Sequence, residues 1–325
     1  MTKAAYEALF VAARKDIATA TLTAQLKVKL AYTRAASDVA SALRATLAKE
    51  QSLITLRAQT QLLEQLAARS TALADDVSKV LEEAIKKSAK VASGPDSQFL
   101  SEALVGVYGK ERSAEVVGAI YSRVNDSAVR NAVSRIYSDG YNLSARVWDL
   151  KGEFEETVKD ILTTGIASGR DPVKLIKDIQ VYVADGKLAL ANRWGSLERG
   201  SEEWKRRVKG KIDYRAQMLV RSEMQAMVQS LAVQSAAANP ATTGRFEWVL
   251  GPGLAHCSVC VDYSVLTYTE DTVPAYPHPN CGCQVRPVLM SIDLFTGDLE
   301  RWVAGEVDDE NRYIDDWAQS YLFAA

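Results

Sequence analysis

The chain carries four cysteines and two histidines, and all six fall in one stretch, HCSVCVDYSVLTYTEDTVPAYPHPNCGC, residues 256–283. Cys257 and Cys260 form a C-x-x-C pair, and Cys281 and Cys283 form a C-x-C pair beyond an intervening loop. Each close pair presents two thiolates from one tight turn, and the loop lets the two pairs close around a single ion. Sulfur at about 2.3 Å and imidazole nitrogen at about 2.0–2.1 Å are the ligands of Zn2+ in a reducing compartment. The candidate ligands are Cys257, Cys260 and Cys281, with the fourth place falling to Cys283 or to His278 of "HPNC". His256 adjoins Cys257, and neighbours in an extended stretch point opposite ways, so it is the weakest candidate. The expectation is one structural zinc per chain. Bare buried thiols and a disulfide are the alternatives. A catalytic zinc keeps an open position, whereas the ligands here suffice to fill all four.

Such a cluster needs short rigid elements on either side. GRFEWVL (244–250) and QVRPVL (284–289) read as two such strands. Upstream of them the chain reads as helix. Residues 1–93 contain no Gly and no Pro, and Ala is abundant. Apolar residues recur there at Phe10, Ala13, Ile17, Ala20, Ala24, Val28, Ala31, Ala35, Val39, Ala42 or Leu43, and Leu47, in steps of three and four. That narrow stripe predicts a long helical arm or coiled coil, continuous over about the first 65 residues. Its break is expected near Ser70-Thr71 or Asp75-Asp76. The arm is read as serving partner contacts rather than the folding of the rest.

Gly94-Pro95 then punctuates the chain. Helices are predicted at about 97–108, 111–124, 126–148 and 152–168. Another is capped by Asp171 with Pro172 in its first position, and a long one runs over about 202–238, opened by Ser201 and ended by Asn239-Pro240. The expected class is therefore mainly α. It comprises an arm (1–93), a helical domain (94–240), a small α+β zinc-stapled module (241–290) and an acidic tail (291–325). Trp302, Trp317 and Tyr321 are expected to anchor that tail.

Composition narrows the function classes. Over 325 residues the net charge is −2, so whole-chain charge argues for neither a nucleic-acid nor a membrane partner. Locally, residues 1–93 are mildly basic and 291–325 strongly acidic. No apolar run approaches the roughly 18 residues of a membrane span, and the start lacks the apolar segment of a secretory leader. A cytoplasm, where thiols stay reduced, is the expected place of synthesis.

Three motifs in order carry a family resemblance: YRAQMLVRSEMQAMVQSLAV (214–233), FEWVLGPGLAHCSVC (246–260) and PHPNCGCQVRP (277–287). Together they resemble the Mu F-like head-morphogenesis or minor head proteins of tailed bacteriophages, over about residues 150–290. That family shows an Arg-Thr-Glu helix, then a Trp before a C-x-x-C, then His-Pro-Asn-Cys-Arg-Cys. Here these are Arg221-Ser222-Glu223, Trp248 and His278-Pro279-Asn280-Cys281-Gly282-Cys283, with Ser for Thr and Gly for Arg. ILTTGIASGRDPVKLIKDI (161–179) resembles the helix upstream. The resemblance implies a non-enzymatic virion component at the capsid interior or portal vertex. Its partners would be the portal protein or the major capsid protein, it would be oligomeric in the virion, and the basic arm would lie near packaged DNA.

Two other classes compete. A zinc-containing nucleic-acid-binding protein would use Lys205, Arg206, Arg207, Lys209, Lys211 and Arg215 with Trp204, although Glu202, Glu203 and Asp213 dilute the patch. An enzyme would be an ADP-ribosyltransferase-like protein, for which Glu153-Phe154-Glu155 matches in letters only, or an HNH-type nuclease. No catalytic residue is assigned.

Overall fold

The computed structural model describes residues 1–50, 56–136, 140–168, 171–193, 212–251, 256–277 and 281–323. The fold is mainly α, with one small sheet. Its helices are α1 (Lys3–Glu50), α2 (Leu56–Ala92), α3 (Gly94–Tyr108), α4 (Lys110–Ser134), α5 (Leu143–Ala167), α6 (Pro172–Arg193), α7 (Ile212–Ala237), α8 (Ser258–Ser264), α9 (Ile292–Val303) and α10 (Arg312–Trp317). The strands are β1 (Thr242–Val249), β2 (Thr267–Tyr268) and β3 (Gln284–Leu289). Among the described residues no helix is long and apolar enough to cross a membrane.

Contacts group the chain otherwise than in linear blocks. One unit joins Met1–Thr21, Ala84–Ser134 and Arg221–Ala325, and the other joins Leu22–Glu83 and Arg135–Val220. The 1–93 segment is thus divided between the two units.

In the second unit, the later part of α1 runs antiparallel to α2, as the pairs Lys27–Glu83 (3.5 Å) and Asp38–Arg69 (3.1 Å) require. The apolar stripe read from the sequence is buried: Ala24, Val28, Ala31, Ala35, Val39 and Leu43 face inward, as do Leu62, Leu66, Leu73, Val77 and Leu81 of α2. These leucines dominate the hairpin, since a fully buried Leu stabilises by about 1.5–3 kcal/mol and an exposed ion pair by roughly 0–1 kcal/mol. The expected break at Ser70-Thr71 does not occur. Ser70 donates to the Leu66 carbonyl (2.8 Å) and Thr71 to that of Ala67 (3.1 Å), so both hydroxyls are satisfied inside α2. An aromatic cluster fills the unit: Tyr32 meets Phe154 edge-on at 5.9 Å, and Phe154 stacks on Tyr182 at 6.4 Å. Burial pushes the Tyr182 hydroxyl up to about 12. Asp171 opens α6 as expected, accepting from the Val173 amide at 2.7 Å.

In the first unit, α3 and α4 form a hairpin turned at Gly109, whose φ of 72° suits glycine. The expected gap near residue 125 is absent, because Val117, Tyr121, Val124, Ala128 and Ala132 continue one buried stripe along α4. The chain breaks instead before Asn142, which caps α5 by accepting from the Ala145 amide at 2.8 Å.

The sheet is antiparallel in the order β2-β1-β3. β3 spans the residues read from the sequence, and β1 begins two residues earlier than read. Phe246 and Trp248 pair with Pro287 and Val285 and share one buried face. Gly244, at φ 70°, lies where the β1–β3 register shifts. In the acidic tail Trp317 is buried and donates to the Ala238 carbonyl at 2.9 Å. Trp302 and Tyr321 are only half-buried.

Candidate metal centre

The thiols stand where two chain reversals meet beneath this sheet. β1 delivers Gly251. Cys257 then caps α8, its sulfur accepting from the Cys260 amide at 3.3 Å. That capping turn is why C-x-x-C works here: it aims Cys260 inward from the first turn of a seven-residue helix. On the other side Cys281 and Cys283 run directly into β3, and Tyr276 fixes the approach by donating to the Cys281 carbonyl at 3.1 Å. Trp248, packed edge-on against Tyr263 at 5.2 Å, forms the apolar floor with Phe246, Tyr268 and Val285.

The sulfurs of Cys260, Cys281 and Cys283 lie within 4.8 Å of one another, and all three residues are buried. Cys260 Sγ and Cys281 Sγ are 3.4 Å apart. A tetrahedral ion with bonds of about 2.3 Å has ligand–ligand edges of about 3.8 Å, so three corners of such a site can be met with little movement. A disulfide needs a separation near 2.05 Å, and none joins any of the four cysteines. These three residues are close enough to hold a metal ion.

Two backbone amides point at the sulfurs of the cluster. The Gly251 amide donates to Cys283 Sγ at 3.3 Å, and the Cys283 amide to Cys281 Sγ at 3.4 Å. Burial, with the contacts of Cys281, Cys257 and Cys283, pushes the Cys260 thiol well up. Burial also raises Cys281, partly opposed by the Cys283 amide. Cys260 and Cys281 therefore hold their protons more tightly than free thiols, and a divalent ion bound there must displace them, which makes its binding pH-dependent.

The sequence candidates sort as follows. Cys260, Cys281 and Cys283 are brought together. Cys257, half-exposed, lies against Cys260 but outside that close trio. His278 lies outside the described residues. His256 is half-exposed and does not join the cluster.

Glu153 is ion-paired with Arg215, and Glu155 with Lys151 at 2.6 Å, on either side of buried Phe154. Of the basic cluster only Arg215 is described, and Asp149 stands 3.7 Å from it. Glu223 faces inward and Arg221 outward on α7.

One residue at the centre escaped sequence reasoning. Arg14 of α1 donates through Nη2 to the Leu250 carbonyl (2.9 Å) and the Gly282 carbonyl (3.2 Å), one on each thiol-bearing loop. Burial lowers its guanidinium, and the nearness of Cys283 raises it. Nothing in its local pattern marks it, since it sits on a helix far upstream of the cysteines.

Compared with known proteins, the chain matches no family model, no curated protein and no solved structure.

Proposed function

We propose that this chain is a non-enzymatic minor head protein of a tailed bacteriophage, built around one structural Zn2+. The observation that carries the structural half of the reading is the buried trio of Cys260, Cys281 and Cys283 at the junction of α8 and β3. With Cys257 as fourth ligand, the coordination shell is all thiolate and has no place for a substrate. Zinc suits this set by its softness and its tolerance of tetrahedral geometry. Such a staple keeps a three-stranded sheet rigid where the sheet itself is too small to be stable alone.

The assembly half rests on the three motifs around Arg221, Trp248 and His278-Pro279-Asn280-Cys281 that resemble the phage proteins. Long helices offer extended contact lines, and weak contacts repeated around a portal ring add through multivalency. The test is co-expression with the cognate portal protein followed by sedimentation. Co-migration with portal rings is expected, and rings free of this chain, in virions that also lack it, would overturn the assembly reading.

A further inference from the structure

We infer that Arg14 is the counter-charge of the metal cluster, and that through it metal occupancy controls the docking of the first five turns of α1. The inference rests on the metal reading above and adds the residue that links the site to the rest of its unit.

Arg14 is half-buried and spans the two loops by its bonds to Leu250 and Gly282. The loops themselves pass at contact distance: a Cβ on Gly251 would stand 3.0 Å from the carbonyl carbon and oxygen of Gly282. Gly251 also donates to Cys283. The guanidinium, the two glycines and the Cys283 sulfur thus form one packed group.

The charges on this face of the sheet do not balance. Arg286 lies over the Phe10 ring, 5.7 Å from its centroid, and is paired with Glu247 (2.7 Å) and Glu7 (3.4 Å). Arg14 stands 6.0 Å from the same ring, and no described carboxylate lies within ion-pairing distance of it. A half-buried guanidinium whose described partners are two carbonyls and a ring has no opposite charge to offset its partial loss of water. A divalent ion in three or four thiolates carries a net charge of −1 or −2. It would supply the missing anion beside Arg14.

Linkage makes the effect reciprocal: if α1 docking favours the loaded cluster, loading favours docking by the same free energy. Arg14 is a positioning residue and not a ligand. Loss of an outer partner of this kind weakens metal binding by about 10–100-fold.

The test uses the full-length chain and Zn2+ alone, with affinity read by competition against a chromophoric chelator and α1 docking read by hydrogen exchange over residues 3–21. Arg14→Gln, which removes the charge, is expected to weaken zinc at least about tenfold at unchanged stoichiometry. Arg14→Lys, which keeps the charge, should stay within about threefold, and exposed Lys15→Gln should change nothing. Stripping zinc from the wild-type chain should speed exchange over residues 3–21. Equal affinity in wild type and Arg14→Gln, or equal losses in the Gln and Lys variants, would overturn the inference. Should Arg14→Gln not fold, exchange in the wild-type chain decides alone, and rates that ignore zinc overturn it. A wild-type chain that binds no zinc overturns the metal reading beneath it.

Discussion

The Tyr6 hydroxyl donates to Oδ1 of Asp96 at 2.6 Å, and both residues are buried, although 90 positions separate them in sequence. Ser235 donates to the other carboxyl oxygen at 2.5 Å. Three helices, α1, α3 and α7, therefore meet at one carboxyl group in the unit that also carries the thiols.

That carboxyl sets a pH dependence. Burial raises Asp96 above the usual carboxylate range, and the bonds from Ser235 and Tyr6 oppose the rise only in part. A raised folded-state value means that the folded chain keeps a proton the unfolded chain has already released. Stability therefore falls as pH rises from about 4, the unfolded value, through the raised folded value. Asp96→Asn has no proton to lose. Urea midpoints measured from pH 4.5 to 8 should show wild type losing ground to the variant, and parallel curves would refute the assignment.

The same contact ties the start of α1 into the core of its unit. A chain starting at Gly94 lacks Tyr6, Phe10, Arg14 and Ile17, all of which face its own unit. Leaving the Asp96 carboxyl short of a donor costs roughly 1–3 kcal/mol, and the lost apolar burial adds several more against a total of about 5–15 kcal/mol. The truncated chain should melt without a cooperative transition in calorimetry. A sharp transition would restore the separable arm that the sequence pattern invited.

A paired glycine experiment probes the loop contact. Gly251→Ala places a methyl against backbone atoms of Gly282, which cannot rotate away, so the loops must part. A stability loss of about 1–3 kcal/mol and weaker zinc binding are expected. Gly282→Ala meets nothing within 4 Å and should behave as wild type. Similar melting and zinc titrations for the two variants would contradict the packing described here.

The sequence was legible where local chemistry decides. Asp171 announces α6, the alternation of Phe246 and Trp248 announces β1, and the cysteine spacing announces the trio. It was illegible where distant groups decide. Ser70 and Thr71 look like helix caps until their hydroxyls are seen bonded one turn back. The two-residue strand β2 is defined by its pairing with distant β1, Tyr268 to Phe246 and Thr267 to Glu247. Arg14 and Tyr6 are ordinary residues on an Ala-rich helix, and only the fold places them against Gly282 and Asp96.

Cys260→Ser should separate the module from the helices. Cys260 lies between Cys257, Cys281 and Cys283, so its loss removes the centre of the cluster. Hydrogen exchange should rise across 242–289, while the helical circular-dichroism signal stays near wild type, because α2 and α5 have apolar stripes of their own. Unchanged protection in 242–289 would mean that the sheet does not depend on the thiols.

The most direct measurement is elemental analysis of the full-length chain purified under reducing conditions, with a variant carrying serine at Cys257, Cys260, Cys281 and Cys283 in parallel. One zinc per chain, lost in the variant and on acidification as the thiols regain their protons, is the expected result. Less than about 0.2 metal ions per wild-type chain, too little for a tight structural site, would contradict the account at its centre.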